Sequence, residues 1–354
     1  MSAGESIRAI QALAHSLGRA VQLMEVCGTH TMAAFRTGLR SLLPDNVKLL
    51  SGPGCPVCVT PIDYVDKAVA LAGRPDTVVA TFGDMIRVPG SRESLEQARA
   101  RGARVRVVYS PLDALAEARA NPGTAVVFLG VGFETTAPTT AWALREAARD
   151  TPNFFVLCGH KTMPRAMAAL LAGGEVRVDA FLCPGHVSVI IGSAPYEFIP
   201  RQYGRPCVVA GFEGEDLAAA IRMALRQLAD GRAEVEVQYT RSVSREGNAK
   251  AQAAIREAFE ECDAAWRGLG VIPGSGLRIR PEWAAHDAER LLAGLDRPPA
   301  REPKGCRCGD VLRGLCAPPE CPLFRKVCTA DQPVGACMVS SEGTCAAYYR
   351  FGKT

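Results

Sequence analysis

Three cysteines lie at points where predicted strands give way to predicted helices, and this position suits thiol chemistry. Cys27 follows the apolar run 21–26, and Cys55 and Cys58 lie in the Gly- and Pro-rich turn 51–61, SGPGCPVCVTP. The positive end of a helix dipole favours thiolate over thiol. A Cys-x-x-Cys pair can close a disulfide or share a soft metal ion. The alternative for such a pair is two inert thiols packed in a turn.

Five further polar residues follow predicted strands or their turns. His30 lies next to Cys27 and has either a role at the thiols or a role as a helix cap. Asp84 and Glu134 face the same choice between a site and hydrogen bonds to loop amides. His160 and His186 either line a site or are buried core histidines.

The C-terminal part of the chain has a different composition. A Pro-rich, charged linker, residues 296–303, precedes seven cysteines within forty residues: Cys306, Cys308, Cys316, Cys321, Cys328, Cys337 and Cys345. So short a segment with few aliphatic residues cannot bury a sufficient core, so we expect a metal to hold it. Zinc sites usually show closely paired cysteines, whereas this spacing is dispersed and favours an iron–sulfur cluster over zinc or disulfides. The chemistry does not choose four ligands among the seven.

Composition excludes several classes of function. The 354 residues suggest two or three domains, and 41 basic against 37 acidic residues are too balanced for binding to nucleic acid or an anionic membrane. We find no apolar run near the ~20 residues of a membrane span. Residues 1–20 are predicted to form an amphipathic helix rather than a signal peptide. Fourteen cysteines without a signal peptide then predict a reducing, cytoplasmic location.

Short apolar strands alternate with longer helices along most of the chain, which predicts a parallel α/β architecture. Two rounds of this rhythm, 21–135 and 150–270, predict two similar parallel-sheet domains that face a cleft. The predicted ranges are 1–145, 146–275 and, for the linker and a small cluster domain, 276–354. Residues 246–266 are predicted to form a helix. Ligands bind outside the carboxyl ends of such strands, so we expect the polar residues to converge on one or two rims.

Other features favour simpler interpretations. Cys158, Cys183, Cys207 and Cys262 lie in or near apolar segments and are predicted to be core thiols. Gly130-x-Gly132 is half of a dinucleotide-binding fingerprint without its third glycine, so it does not favour nucleotide binding.

Several stretches together identify a family resemblance that covers nearly the whole chain from about residue 20. They are EVCGTH (25–30), GPGCPVC (52–58), GDMIRVPG (83–90), GFETTAP (132–138), PGHVS (184–188), WRGLG (266–270) and PVGACMVSSEG (333–343). The chain resembles the HypD-type hydrogenase formation proteins, which are maturation factors for [NiFe] hydrogenases.

The resemblance implies a ligand set for the Cys-rich segment. The family pattern Cys-x14-Cys-x6-Cys-x16-Cys falls on four cysteines with every spacing kept: Cys306, Cys321, Cys328 and Cys345. It implies a [4Fe–4S] cluster on these thiolates and leaves Cys308, Cys316 and Cys337 without a ligand role.

The resemblance also implies a function. It is assembly of the Fe(CN)2CO group of the hydrogenase on a scaffold that works with a small HypC-type chaperone and receives cyanide from a HypE-type donor. Cys27 would be an iron ligand shared with the chaperone's cysteine, and Cys55 and Cys58 would add thiolates or switch between dithiol and disulfide. Low-spin iron favours thiolate, and a cluster beside a Cys-x-x-Cys pair can supply electrons. The resemblance further implies that five residues handle protons or support the iron ligands: His30, Asp84, Glu134, His160 and His186.

Two rival functions share part of this pattern. A cluster-dependent thiol–disulfide reductase, akin to ferredoxin:thioredoxin reductase, needs the cluster and the Cys-x-x-Cys pair but not Cys27. A zinc-stabilised binding protein needs no redox chemistry. We favour an assembly scaffold with redox activity over both rivals and over an enzyme that turns over substrate.

Overall fold

The computed structural model describes residues 3–352, which form two parallel β-sheets, a two-stranded hairpin and the surrounding helices. Every helix in this part of the chain is too short or too polar to cross a bilayer. The strands are β1 (Val21–Glu25), β2 (Val47–Ser51), β3 (Thr77–Thr81), β4 (Val105–Val107), β5 (Ala125–Gly130), β6 (Phe154–Cys158), β7 (Ala180–Pro184), β8 (Cys207–Ala210), β9 (Val235–Val237), β10 (Phe259–Trp266) and β11 (Gly270–Ile279).

The α-helices cover both faces of the sheets and build the C-terminal segment. They are α1 (Ala3–Leu17), α2 (Gly28–Arg36), α3 (Leu39–Leu42), α4 (Pro56–Val59), α5 (Ile62–Ala72), α6 (Leu95–Ala100), α7 (Pro111–Ala120), α8 (Ala137–Asp150), α9 (Met163–Gly173), α10 (Gly185–Ile191), α11 (Phe198–Tyr203), α12 (Gly214–Ala229), α13 (Ala249–Ala258), α14 (Cys308–Arg313), α15 (Ala336–Val339) and α16 (Thr344–Phe351). The predicted amphipathic first helix is confirmed by α1, which packs on α12 through Ile10 and Leu13.

The two parallel sheets share one plan. Sheet one has the strand order β2-β1-β7-β8-β9, and sheet two has the order β4-β3-β5-β6. All neighbouring strands in both sheets run parallel. Each sheet therefore has a switch point at which the strand order reverses, between β1 and β7 in sheet one and between β3 and β5 in sheet two. The predicted α/β class with two similar parallel sheets is confirmed.

Sheet membership does not follow the predicted boundary at residue 145. Strands β1 and β2 join β7 in sheet one, whereas residues 77–158 supply the strands of sheet two. Along the chain, sheet two is thus inserted between the second and third strands of sheet one. Sheets alone do not define domains, so the ranges 1–145, 146–275 and 276–354 stay a prediction.

The core ties the two sheets together. In sheet one, Leu23 belongs to an outer cluster with α1 and α12, whereas its neighbour Met24 belongs to an inner cluster. That inner cluster also contains Phe181 of sheet one and Val127 of sheet two. Alternate residues of a strand face opposite sides, and a fully buried side chain of this size stabilises the fold by about 1.5–3 kcal/mol. The shared cluster therefore couples the two sheets.

The helix predicted for residues 246–266 is wrong over its second half. Helix α13 ends at Ala258, and β10 then pairs antiparallel with β11. Side chains along β10 alternate between more buried and more exposed positions, as in a strand, and Trp266 donates from Nε1 to Ser275 Oγ at 2.8 Å. The hairpin gains its stability from this packing, which the composition of 246–266 does not reveal.

The C-terminal segment lies against elements of both sheets. The rings of Phe35 and Tyr348 meet edge to face at 4.7 Å, which joins α2 to α16. From the sheet-two side, the Arg87 guanidinium donates to the Ala330 carbonyl at 2.7 Å. Helix α15 packs against α4, the helix of the Cys-x-x-Cys pair.

Candidate thiol and metal centre

Cys27 lies at the switch point of sheet one, two residues after the end of β1. It is the N-cap residue of α2 and has an extended backbone and a buried side chain. The loop after β2 lies on its backbone, because the N–H of Gly28 donates to the Gly54 carbonyl at 3.1 Å. A Cβ atom on Gly54 would overlap the backbone of Cys27, and one on Gly52 would lie 2.8 Å from Met24 Sδ. The two glycines therefore allow the Cys-x-x-Cys loop to reach the Cys27 thiol region.

Cys55 and Cys58 form a disulfide, with their Cα atoms 5.3 Å apart. Cys55 caps the N terminus of α4, and the N–H of Cys58 lies 3.2 Å from Cys55 Sγ. Thr60 ends α4, and its hydroxyl donates to the Pro56 carbonyl at 2.8 Å. Helix α5 begins at Ile62. The pair thus lies on a separate one-turn helix that the sequence did not predict.

A buried ion pair supports the frame around Cys27. The Glu25 carboxylate, at the end of β1, accepts from the Arg40 guanidinium at 2.7 Å and from the Thr31 hydroxyl at 2.9 Å. Arg40 also donates to the Ser51 hydroxyl at 3.2 Å. The network joins the ends of β1 and β2 to α2, and sequence reasoning did not single out Arg40.

The loop 340–342 brings an acidic side chain to Cys27. Glu342 accepts from the Thr29 hydroxyl at 2.6 Å, and a Cβ atom on Gly28 would lie 2.6 Å from Glu342 Cβ. Asp84, after β3 of sheet two, holds the same loop: its Oδ2 accepts from Ser340 Oγ at 2.9 Å and from the Ser341 N–H at 3.1 Å. Asp84 therefore acts on the site indirectly, because it holds the loop that carries Glu342. Sequence reasoning missed Glu342, although it lies in the motif PVGACMVSSEG.

The Cys27 thiol is protonated at neutral pH in this environment. Burial, together with the negative charge of Glu342, raises its pKa to about 12. The backbone N–H of His30 and the Thr29 hydroxyl oppose this shift, as expected at a helix N terminus. Burial thus outweighs the helix dipole. A soft metal ion that binds Cys27 must displace its proton.

Two imidazoles lie at the carboxyl end of sheet one, His30 after β1 and His186 after β7. His30 Nε2 lies 3.2 Å from the Ala210 carbonyl, and the ring of His186 stacks on Phe212 at 3.7 Å. Burial lowers the pKa of His30 to about 4, and the proximity of His186 also lowers it. Burial lowers the pKa of His186 as well, against the opposing charge of Glu342. Both rings are therefore neutral at pH 7.

Glu134 and His160 belong to a different part of the molecule. Glu134 accepts from the Met163 N–H at 3.0 Å, and burial raises its pKa to about 7. His160 Nε2 lies 3.0 Å from Thr140 Oγ1, and burial lowers its pKa to about 4. Within residues 3–352 no hydrogen bond or ion pair joins either side chain to Cys27. The structure thus places His30 and His186 at the same end of sheet one as Cys27, whereas Glu134 and His160 follow strands of sheet two.

The thiols predicted to be in the core divide into two groups. Cys183 and Cys207 are fully buried in the inner cluster. Cys158 and Cys262 are partly exposed, and Cys158 Sγ lies 3.0 Å from the Leu277 carbonyl.

The Cys-rich segment gathers its thiols around one small cavity. Its lining includes the four predicted ligands and two further cysteines: Cys306, Cys308, Cys321, Cys328, Cys337 and Cys345. Cys316 instead lines a different cavity next to β2. Cys308 and Cys337 are in contact, with their Sγ atoms 2.7 Å apart.

The donor set around this cavity fits an iron–sulfur cluster in chemistry and location, because four thiolates are the usual ligands of such a cluster. The described side chains are not prearranged for a metal ion: among them, no three His, Cys, Asp or Glu residues form a group that could hold one. The thiols are therefore collected in one place without being set in a coordination geometry.

Comparisons with known proteins agree on one family. The family model HypD, described as "Hydrogenase formation hypA family", matches residues 2–352. The chain is 51% identical over 338 residues to "Hydrogenase maturation factor HypD" of Rhodobacter capsulatus, with 94% of this chain and 89% of the relative covered. It is 51% identical to "Hydrogenase expression/formation protein HupD" of Azotobacter chroococcum mcd 1, with 95% and 90% covered. It is 48% identical to "Hydrogenase maturation factor HypD" of Escherichia coli (strain K12), with 96% and 91% covered.

Proposed function

Because the chain belongs to the HypD family of hydrogenase maturation factors, we propose that it is the scaffold on which the Fe(CN)2CO group of an [NiFe] hydrogenase is assembled. The iron is the cargo, and the Cys27 thiolate is its ligand on this chain, shared with the cysteine of a small HypC-type chaperone. A HypE-type protein supplies the cyanide. The position of Cys27 carries the proposal: this buried thiol lies at a switch point beside the Cys55–Cys58 loop and Glu342.

The groups around Cys27 are suited to handle its proton. Iron binding requires the thiolate, so the proton must leave a buried site. Glu342 is near enough to shift the pKa of Cys27, and its carboxylate can accept a proton. His30 and His186 are neutral imidazoles, which can donate a hydrogen bond without adding charge beside the iron.

Cys55 and Cys58 supply the switch. Reduction of their disulfide takes up two electrons and two protons and yields two thiols. As thiolates they become further soft ligands for the iron, and as a disulfide they bind nothing. Their loop lies on the Cys27 backbone, so this change takes place next to the cargo site.

The four cysteines Cys306, Cys321, Cys328 and Cys345 would hold a [4Fe–4S] cluster. Such a cluster supplies electrons singly when it is bound. The chain places the cavity close to the switch, because Cys337 lines the cavity and lies on α15, which packs on α4. The Cys308–Cys337 contact adds a second close pair of thiols on that side of the cavity.

Infrared spectroscopy of the chain, co-expressed with its small chaperone and purified anaerobically, tests the proposal. We expect carbonyl and cyanide stretches in the wild type and their loss in Cys27→Ala. Cys262→Ala is the matched control, because Cys262 is a partly exposed thiol on β10 outside the site. Bands that persist in Cys27→Ala would show that the iron is held elsewhere.

The disulfide-reductase function is the second candidate, because the Cys55–Cys58 disulfide is also what a reductase requires. A reductase does not need Cys27, so Cys27→Ala would leave its activity intact. Iron-carbonyl bands absent from the wild type, with an intact cluster and titratable Cys55 and Cys58, would favour this function. Iron and acid-labile sulfide near about four each per chain would exclude a zinc-stabilised protein.

A further inference from the structure

A large cavity lies away from the cysteines, between helices α9, α11 and α13 and the hairpin β10–β11. Its volume is about 800 Å³, in the usual range of ~300–1,000 Å³ for small-molecule sites. Its apolar wall consists of Ile191, Phe198, Tyr203, Ile255, Phe259 and Leu277. The wall can therefore bury the carbon skeleton of a ligand.

Two buried polar groups in this cavity have unused hydrogen-bonding capacity. Glu134 is 4% exposed, and its Oε1 accepts from the Met163 N–H at the start of α9. Its Oε2 and the hydroxyl of Thr162, the N-cap residue of α9, have no partner among residues 3–352. A buried polar group without a partner is unfavourable, so a ligand that donates a hydrogen bond here is favoured.

Charged side chains of both signs line the cavity, and one of them, Arg280, donates to the backbone carbonyls of Arg256 and Phe259. Arg165, in the first turn of α9, and Arg256, on α13, both line the cavity and are exposed. In the part of the chain that the structure describes, neither guanidinium forms an ion pair. By contrast, Glu260 of the same lining is paired with Arg278 at 2.7 Å. Glu261 also lines the cavity and adds one negative charge there. The two free guanidinium groups suit a carboxylate or a phosphate.

We propose that this cavity binds a small organic anion that carries an amide or amine group. The N–H donor of the ligand meets Glu134 and Thr162, and its carboxylate or phosphate lies against Arg165 and Arg256. The site is distinct from the thiol centre, because within the described residues its lining contains no cysteine. It gives Glu134, which lies in the motif GFETTAP, a role in ligand recognition rather than in support of the iron.

Isothermal titration calorimetry on the full-length chain tests the proposal with three probes. Glutaramate combines an amide with a carboxylate, and O-phosphoethanolamine combines an amine with a phosphate. Glutarate lacks the donor. We expect at least one of the first two probes to bind with a millimolar or lower Kd and at least tenfold more tightly than glutarate. The probe that binds identifies the anionic group that the cavity prefers. If neither of the first two probes binds at a concentration on the order of 10 mM, tenfold above the expected Kd, the proposal is overturned.

Variants locate the binding within the cavity. We expect Glu134→Gln and Arg165→Ala each to weaken binding at least tenfold. Arg226→Ala is the matched control, because Arg226 is an exposed arginine on α12 outside the cavity lining. Binding that is unchanged in Arg165→Ala would contradict the proposal, and this surface variant remains decisive even if Glu134→Gln fails to fold. Infrared bands of the same preparations report on the iron site separately.

Discussion

The two thiol regions of this chain are built in opposite ways. Around Cys27, neighbouring parallel strands, the carbonyl of Gly54 and the Glu25–Arg40 pair fix the frame. The Cys-rich segment instead has helices of four to eight residues, and its thiols gather around a small cavity without a coordination geometry. A site on rigid elements can select its cargo, whereas thiols on short elements take their arrangement from the group they bind.

The loop 340–342 is where the two regions meet. It belongs to the Cys-rich segment, yet Asp84 of sheet two holds it and its Glu342 contacts the first turn of α2. A change in the Cys-rich segment can therefore reach Cys27 through this loop. The contrast between the region around Cys27 and the Cys-rich segment can be tested by substitutions in each region and in the loop 340–342.

The largest effect is expected from loss of one predicted cluster ligand. If the proposed cluster holds this segment together, Cys321→Ala should remove nearly all iron and acid-labile sulfide, and it should open residues 306–352 to trypsin while the sheets stay resistant. Cys316→Ala is the control, since Cys316 lines a different cavity. Mass spectrometry of the fragments checks this. A segment that stays resistant without iron would show that its apolar contacts suffice.

The region around Cys27 should instead be destabilised by a change that alters backbone packing. Gly54→Ala places a methyl group on the backbone of Cys27 and should lower the free energy of unfolding by about 2–5 kcal/mol. Gly123→Ala is the control, because a Cβ atom there meets nothing within 4 Å and a change of about 0.5 kcal/mol or less is expected. Urea unfolding measures both. Equal stability of the two variants would mean that the loop is not held against Cys27.

At the junction, Asp84→Asn should loosen the loop without unfolding either region. The substitution weakens an acceptor that serves Ser340 and Ser341, which should cost about 1–3 kcal/mol locally. We expect faster hydrogen exchange of the amides 340–343, measured by mass spectrometry. Asp331→Asn, at an exposed position of the same segment, should leave exchange unchanged. If the amides 340–343 exchange as slowly in Asp84→Asn as in the wild type, Asp84 does not stabilise this loop, and the two regions are not energetically coupled through it.

The sequence predicted which residues follow the strands better than it predicted which strands pair. Apolar runs followed by Cys27 or His186 correctly placed a thiol and an imidazole just after strand ends, because that signal is local. The pairing of β1 with β7 could not be predicted, because residues 26–179 separate these strands and no periodicity records which strands become neighbours. Because this long-range pairing could not be predicted, the predicted domain boundary at residue 145 does not coincide with the division between the sheets.

The missed parts of the site also depend on contacts between distant residues. Glu342 stands 315 residues after Cys27, and only the fold brings it there. The prediction that the polar residues converge on one or two rims could not assign Glu134 and His160 to a rim, and both follow strands of sheet two. The strand Phe259–Trp266 was hidden because its exposed face is acidic and resembles the polar face of a helix.

The smallest effect is expected from removal of the charge of Glu342. It is also the most specific test of the loop 340–342, where the two regions meet. Burial is the largest cause of the raised pKa of Cys27, and the Glu342 charge is the second. In Glu342→Gln the amide oxygen can still accept from Thr29, but the charge is gone, so the pKa of Cys27 should fall while it stays above that of a free cysteine. More thiolate at pH 8 should then raise the rate of alkylation of Cys27 about 3- to 10-fold.

Mass spectrometry of iodoacetamide-treated protein, with the Cys55–Cys58 disulfide intact, measures this rate as a function of pH. In the wild type the rate should keep rising with pH up to about 12, and in Glu342→Gln the same curve should shift to lower pH. Glu320→Gln is the control, because Glu320 accepts from the Ala317 N–H within its own segment. A rate in Glu342→Gln equal to that of an exposed thiol would mean that the loop, rather than the strands, buries Cys27. The frame around Cys27 would then depend on the Cys-rich segment, and the contrast between the two regions would fail.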